Sequence, residues 1–80
     1  MVEIRFDKNF TIIFSKIKEK LLRTKIKKQI HKISENPEIG KPMMHDRKGT
    51  RELYIKPFRL SYSFDIINNT LHNSLKMPAH

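Results

Sequence analysis

An α+β fold, with helices layered on one side of a mainly antiparallel sheet, is predicted by three features of this 80-residue chain. A short alternating run opens it at residues 2–6. Two helical apolar stripes follow, nearly continuous in sequence, between Phe10 and Ile33. Residues 49–65 then alternate apolar and polar as two strands joined by a tight connection. The order is an N-terminal strand, a helical hairpin, then three to four strands, an order that implies helices over a sheet rather than a parallel α/β array.

In the first strand Val2, Ile4 and Phe6 point one way, Glu3 and Arg5 the other, the period of two that a half-buried strand shows. Asp7 is suited to cap the next helix, because its carboxylate can accept from an otherwise unpaired backbone N–H. Phe10, Ile13, Phe14, Ile17 and Leu21 recur at helical spacing and make one stripe, with Lys16, Lys18, Glu19 and Lys20 off it. A second stripe, Leu22, Ile26, Ile30 and Ile33, stops at Asn36-Pro37, where proline disfavours helix at the preceding residue. A turn near Arg23-Thr24 is expected to fold the two helices into a hairpin.

Pro37-Glu38-Ile39-Gly40-Lys41-Pro42 reads as loop from its prolines and glycine. Residues 43–47 are expected to form a short edge strand, and Lys48-Gly49-Thr50 a turn. In the two strands that follow, Leu53, Ile55, Phe58, Leu60, Tyr62 and Phe64 share one face; Glu52, Tyr54, Lys56, Arg59, Ser61 and Ser63 share the other. Pro57 fits badly at the second place of a two-residue loop that wants positive φ there. A four-residue loop from Ile55 to Phe58 is therefore expected, in the register that pairs Leu53 with Leu60 and Tyr54 with Arg59. A phenol beside a guanidinium on a polar sheet face is a candidate phosphate site. Ile66-Ile67-Asn68-Asn69 can turn, residues 70–75 can form a last strand, and residues 77–80 are expected to fray.

One domain, residues 1–80, with a small core is what this length supports. There is no cysteine, so no disulfide staples the core, and a cytoplasmic setting is the simplest expectation. The alternating N-terminus is unlike a signal peptide, and no run approaches the roughly 20 apolar residues that span a bilayer. Seventeen Lys and Arg against eight Asp and Glu give a net charge of +9, which points to a polyanion or an acidic protein as partner. His45 stands near Met43 and Met44, but no second His or Cys lies at ligand spacing, so neither metal nor other cofactor is expected.

Three further matches carry a resemblance: Asn36-Pro37 leading to Gly40-Lys41-Pro42, the Gly49…Arg51-Glu52-Leu53 run, and Arg59-Leu60-x-Tyr62. With the element order, they make residues 2–65 resemble the RelE/ParE superfamily of toxins from prokaryotic type II toxin–antitoxin modules, nearest to archaeal RelE-like members. The resemblance implies a compact toxin, neutralised in a hetero-oligomer by an acidic, helical, RelB-like antitoxin. It implies, for the RelE branch, entry into the ribosome and metal-independent cleavage of messenger RNA; the ParE branch acts on DNA gyrase instead. Arg59 matches the family's arginine. Glu52 and Tyr54 stand where the best-known RelE pattern is basic, and Arg51 is one position out of phase with it. The closing segment, residues 70–80, lacks the family's usual Tyr; His72, Lys76 and His80 could stand in for the family's C-terminal basic residue, with no clear alignment for any of them. A catalytically impaired antitoxin-binding module and a ParE-like gyrase inhibitor therefore stay open as alternatives.

RNA cleavage of this kind uses the 2′-hydroxyl as nucleophile, and the protein must align it, stabilise charge on phosphorus and manage two proton transfers. Arg59 suits the charge role, since its planar fork bonds two phosphate oxygens and stays protonated. Arg51 and Lys56 are expected to add phosphate contacts, and Tyr54 to stack on a base or bond phosphate. A general base would need a pKa near neutrality, within reach of histidine or of a lysine crowded by cations. Lys16, Lys20, Lys27 and Lys48 are the expected RNA-binding lysines, by the family's use of such faces. The plainer readings are a cross-strand cation–π pair between Arg59 and Tyr54, worth about 0.5–1 kcal/mol, and lysines that only solvate the helices. Tyr62 is expected in the core with its hydroxyl at the rim, and His31 at the surface.

Overall fold

The alternation of residues 50–65 becomes an antiparallel pair: β3, Thr50–Ile55, and β4, Phe58–Asp65, matched Leu53 to Leu60 and Tyr54 to Arg59. The computed structural model describes residues 2–42 and 49–77. The remaining elements are β1, Glu3–Phe6; α1, Lys8–Lys16; α2, Lys20–Glu35; β2, Lys41–Pro42; and β5, Thr70–Lys76. The five strands form one sheet in the order β1-β5-β4-β3-β2, antiparallel throughout except that β1 runs parallel to β5.

The expected register holds, but the loop is shorter than expected. Ile55 already pairs with Phe58, leaving only Lys56 and Pro57 to turn. The Lys56–Pro57 peptide is cis, the form in which proline sits at the third position of a type VI turn, where no positive φ is demanded. Gly49 at the start of β3 has φ +87°, a left-handed conformation open to glycine and strained for other residues. The edge strand expected at residues 43–47 lies outside the described residues, as do Lys48 and residues 78–80. Among the described residues, Lys41–Pro42 forms the edge and pairs with Glu52 and Arg51.

Asp7 caps α1, its Oδ1 accepting from the Phe10 N–H at 2.8 Å. The hairpin turn falls at residues 17–19, and Arg23 and Thr24 lie inside α2. Ile17 leaves the helix with extended angles while its side chain stays buried in the core, which redirects the chain earlier than the spacing predicts. Leu21 is consequently 79% exposed and does not continue the first stripe. Arg23 ties the two helices together: one Nη donates to the Ile17 carbonyl at 3.3 Å, and the guanidinium lies 4.7 Å over the Phe14 ring. The helix end at Ile17 thus gains a partner for a carbonyl that would otherwise be left to water. As expected, α2 stops ahead of Pro37.

Ile26, Ile30 and Ile33 of α2 are buried with Phe10, Ile17, Ile55, Leu60, Tyr62, Leu71 and Leu75 in one core. Both helices therefore cover a single side of the sheet, and the opposite side faces outward. At the rim of the core Tyr62 is 2% exposed. Its hydroxyl donates to the Pro37 carbonyl at 2.9 Å and accepts from the Gly40 N–H at 2.7 Å. A Cβ at position 40 would lie 2.5 Å from that hydroxyl, so the loop needs glycine at this close approach. Among the described residues, no helix is long and apolar enough to cross a membrane.

Candidate functional site

Strand pairing decides which side chains share the uncovered face. Residues paired across β3, β4 and β5 project to the same side, which lines up Tyr54, Arg59 and Lys76 in one row. The next row is Glu52, Ser61 and Ser74, and the next Thr50, Ser63 and His72, with Arg5 of β1 beside His72. Tyr54 is 64% exposed, and Arg59 is exposed as well. No described residue forms an ion pair or hydrogen bond with the Arg59 side chain. An unengaged guanidinium flanked by a phenol and an ammonium is able to accept a phosphate.

One row beyond Arg59 the same face sinks into a hollow of about 440 Å³, reached by Arg5, Thr50, Ser61, Ser63, His72 and Ser74. Ser61 is only 6% exposed although it belongs to this outer face. At the far margin Arg5 pairs with Glu3 through a guanidinium–carboxylate bond. The Asp65 carboxyl is held below its ordinary range, first by the Asn68 side chain, with smaller help from nearby His72.

Of the residues expected to act together, the structure brings Arg59 and Tyr54 side by side. Arg51 is not with them. It pairs with Tyr62 and so points to the helix-covered side, where its guanidinium donates to the carbonyls of Gly40, at 2.8 Å, and Glu38, at 3.3 Å. Lys56 sits at the hairpin tip near Glu19, Leu22 and Lys25 rather than in the row of Arg59. Lys16 and Lys20 are exposed on the helical layer; Lys27 lies 6.0 Å over the Phe14 ring. Lys48 is outside the described residues. Lys76, His72 and Arg5 belong to the uncovered face; His72 and Lys76 were expected only as stand-ins for the family's C-terminal basic residues, and Arg5 was given no role. The missing signal was the pairing of β5, which extends the β3–β4 parity by one more strand. Among the described residues, no group of three or more His, Asp or Glu is placed to hold a metal.

A second surface lies on the helical side. The Phe6 and Phe10 rings are 4.5 Å apart, and Phe10 and Phe14 stack at 5.4 Å. With Ile30 and Lys27 they line an almost wholly apolar groove of about 260 Å³. Phe6 remains 48% exposed.

No protein-family model matches the chain, and no curated protein matches it by sequence. Solved structures do match in fold. The E. coli RelBE toxin–antitoxin complex contains a chain that superposes with a TM-score of 0.83 at 16% identity, each chain covered over 100% of its length. The toxin–antitoxin complex RelBE2 of Mycobacterium tuberculosis gives 0.77 at 20% identity, over 95% of this chain and 96% of that one. The YoeB dimer of Staphylococcus aureus gives 0.78 at 21%, over 99% and 97%. The chain has the RelE-like α+β fold.

Proposed function

We propose that the protein is the toxin of a type II toxin–antitoxin pair, a RelE-like, metal-independent endoribonuclease that cleaves messenger RNA on the ribosome. The observation that carries this reading is the Arg59 side chain, exposed and without a partner among the described residues, between Tyr54 and Lys76. In the reaction the 2′-hydroxyl gives up its proton as its oxygen attacks the adjacent phosphorus, a 2′,3′-cyclic phosphate forms, and the bond to the 5′-oxygen breaks as that oxygen takes up a proton and leaves as a hydroxyl. Arg59 supports the charge that builds on the non-bridging oxygens, a type of contact worth a factor of about 100–1,000 in rate. Lys76 adds positive charge in the same row, and Tyr54 offers a ring for a base or a hydroxyl for phosphate.

The apolar groove supports the antitoxin half of the reading. Its aromatic floor and the flanking Lys27 and Arg23 suit an amphipathic segment carrying acidic residues, and the net charge of +9 would speed their encounter. RelBE and RelBE2 are described as toxin–antitoxin complexes, and the apolar groove and positive charge of this chain lead to the expectation that its cognate antitoxin is acidic and helical. The gyrase-directed alternative gains nothing from these likenesses. The catalytically impaired alternative keeps one observation in its favour, Glu52 one row from Arg59 on the same face. Purified protein added to translating ribosomes tests the nuclease: new messenger ends support it, and intact messenger with a folded protein refutes it.

A further inference from the structure

The uncovered face has two chemically different ends. Arg59 and Lys76 stand together at one; at the other, Arg5 is paired with Glu3 and His72 lies close to Asp65. Rows four residues apart along β4 separate them by ~13 Å. The cationic end is the natural seat of a phosphate. Among the described residues, the hollow at the other end has little net charge to offer one, because Arg5 and His72 each have a carboxylate beside them.

What the hollow does offer is hydroxyls. Thr50, Ser61, Ser63 and Ser74 all reach it, and none of their side chains bonds to a described residue. A hydroxyl both donates and accepts, which suits the mixed edges of a nucleobase and the 2′- and 3′-oxygens of ribose. Arg5 and His72 add flat, polar faces at the rim, and unstacked bases are commonly held against such groups. The volume, about 440 Å³, falls within the range of about 300–1,000 Å³ typical of small-ligand sites.

We infer that this hollow is a nucleoside subsite, which seats the base and ribose of a nucleotide neighbouring the phosphate held by Arg59. The inference rests on the RNA-cleaving reading for its strand but not for its chemistry, since this chain's own described residues form the hollow. It makes Arg5 and His72 specificity-determining residues, and it gives cleavage a base preference fixed by the protein as well as by the ribosome.

The test is titration of the full, isotopically labelled protein with each of the four ribonucleoside 5′-monophosphates, reading backbone amide shifts. The expected result is shifts gathered at Ser61, Ser63, His72 and Ser74, stronger for one base than for the others. Arg5→Ala and His72→Ala should each weaken that binding about tenfold while leaving the remaining spectrum in place. Shifts confined to Tyr54, Arg59 and Lys76, no binding, or variants that bind as well as the parent would overturn the subsite. A parallel cleavage assay on translating ribosomes separates the two readings. Nucleotides in the hollow with messenger intact would remove the nuclease and keep the subsite; cut messenger with a silent hollow would do the reverse.

Discussion

Arg51 and Arg59 leave the same antiparallel pair in opposite directions. Arg51 stands opposite Tyr62 and spends its guanidinium on the carbonyls of Glu38 and Gly40. Arg59 stands opposite Tyr54 and binds no described residue. One arginine holds the loop that enters the sheet, and the other is left available to a ligand.

The two arginines should therefore separate in stability measurements. Arg51→Ala removes charged donors from two carbonyls and should cost about 1–3 kcal/mol. In a domain of this size each kcal/mol lowers Tm by about 4–8 °C. Arg59→Ala should stay within about 0.5 kcal/mol of the parent, as exposed substitutions usually do. Thermal melts of both variants check this, and an equal loss in both would contradict the assignment of roles.

Tyr62→Phe should destabilise by about 1–3 kcal/mol, because it strands a buried Gly40 N–H and the Pro37 carbonyl. Burial raises the Tyr62 pKa, an effect only partly offset by the Gly40 N–H and by Arg51. A raised folded pKa means that the group's stabilisation is full below about pH 10, the unfolded value, and is lost as pH rises through the folded value. Denaturant melts from pH 8 to 11 should show an alkaline loss in the parent that is reduced in the variant.

The aromatic groove can be challenged at its exposed member. Phe6→Asp places a charge against Phe10 and should weaken an acidic helical partner at least tenfold, by losing an anchor and adding repulsion. Because Phe6 is half exposed, the isolated domain should remain folded. Co-purification with the product of a neighbouring gene, compared between parent and variant, gives the answer.

Lys16 and Lys20 are exposed on the helical layer, and the RNA-binding role expected of them from the sequence has an ionic signature. If each meets a phosphate, Lys16→Gln with Lys20→Gln should flatten the plot of log K against log salt by about 1.4–1.8, the contribution of two phosphate contacts. An unchanged slope would leave these lysines as solvated helix surface.

How much of this could be read from the chain varies with the range of the contact. The helices and the β3–β4 register were legible because periods of 3.6 and 2 are local: parity restricts the pairing, and centring the turn on Lys56-Pro57 selects Leu53 opposite Leu60. Arg51 was expected to add a phosphate contact to that of Arg59, although the same parity puts it with Leu53, on the core side. The hairpin turn was misplaced because Ile13, Ile17 and Leu21 keep helical spacing straight through the break, and only Ile17's tertiary burial redirects the chain. The parallel pairing of β1 with β5 joins residues almost seventy positions apart. No local pattern encodes it, so Arg5 and His72 could not be recognised as neighbours.

The most direct measurement compares induced expression of the parent and Arg59→Ala, each at matched soluble level, while following protein synthesis and mapping messenger ends. The account predicts that the parent halts translation and produces new ends within codons, and that the variant's cleavage falls at least a hundredfold, the scale of a lost charge-stabilising donor. Equal cleavage by both proteins, or arrest without any new messenger ends, would contradict it.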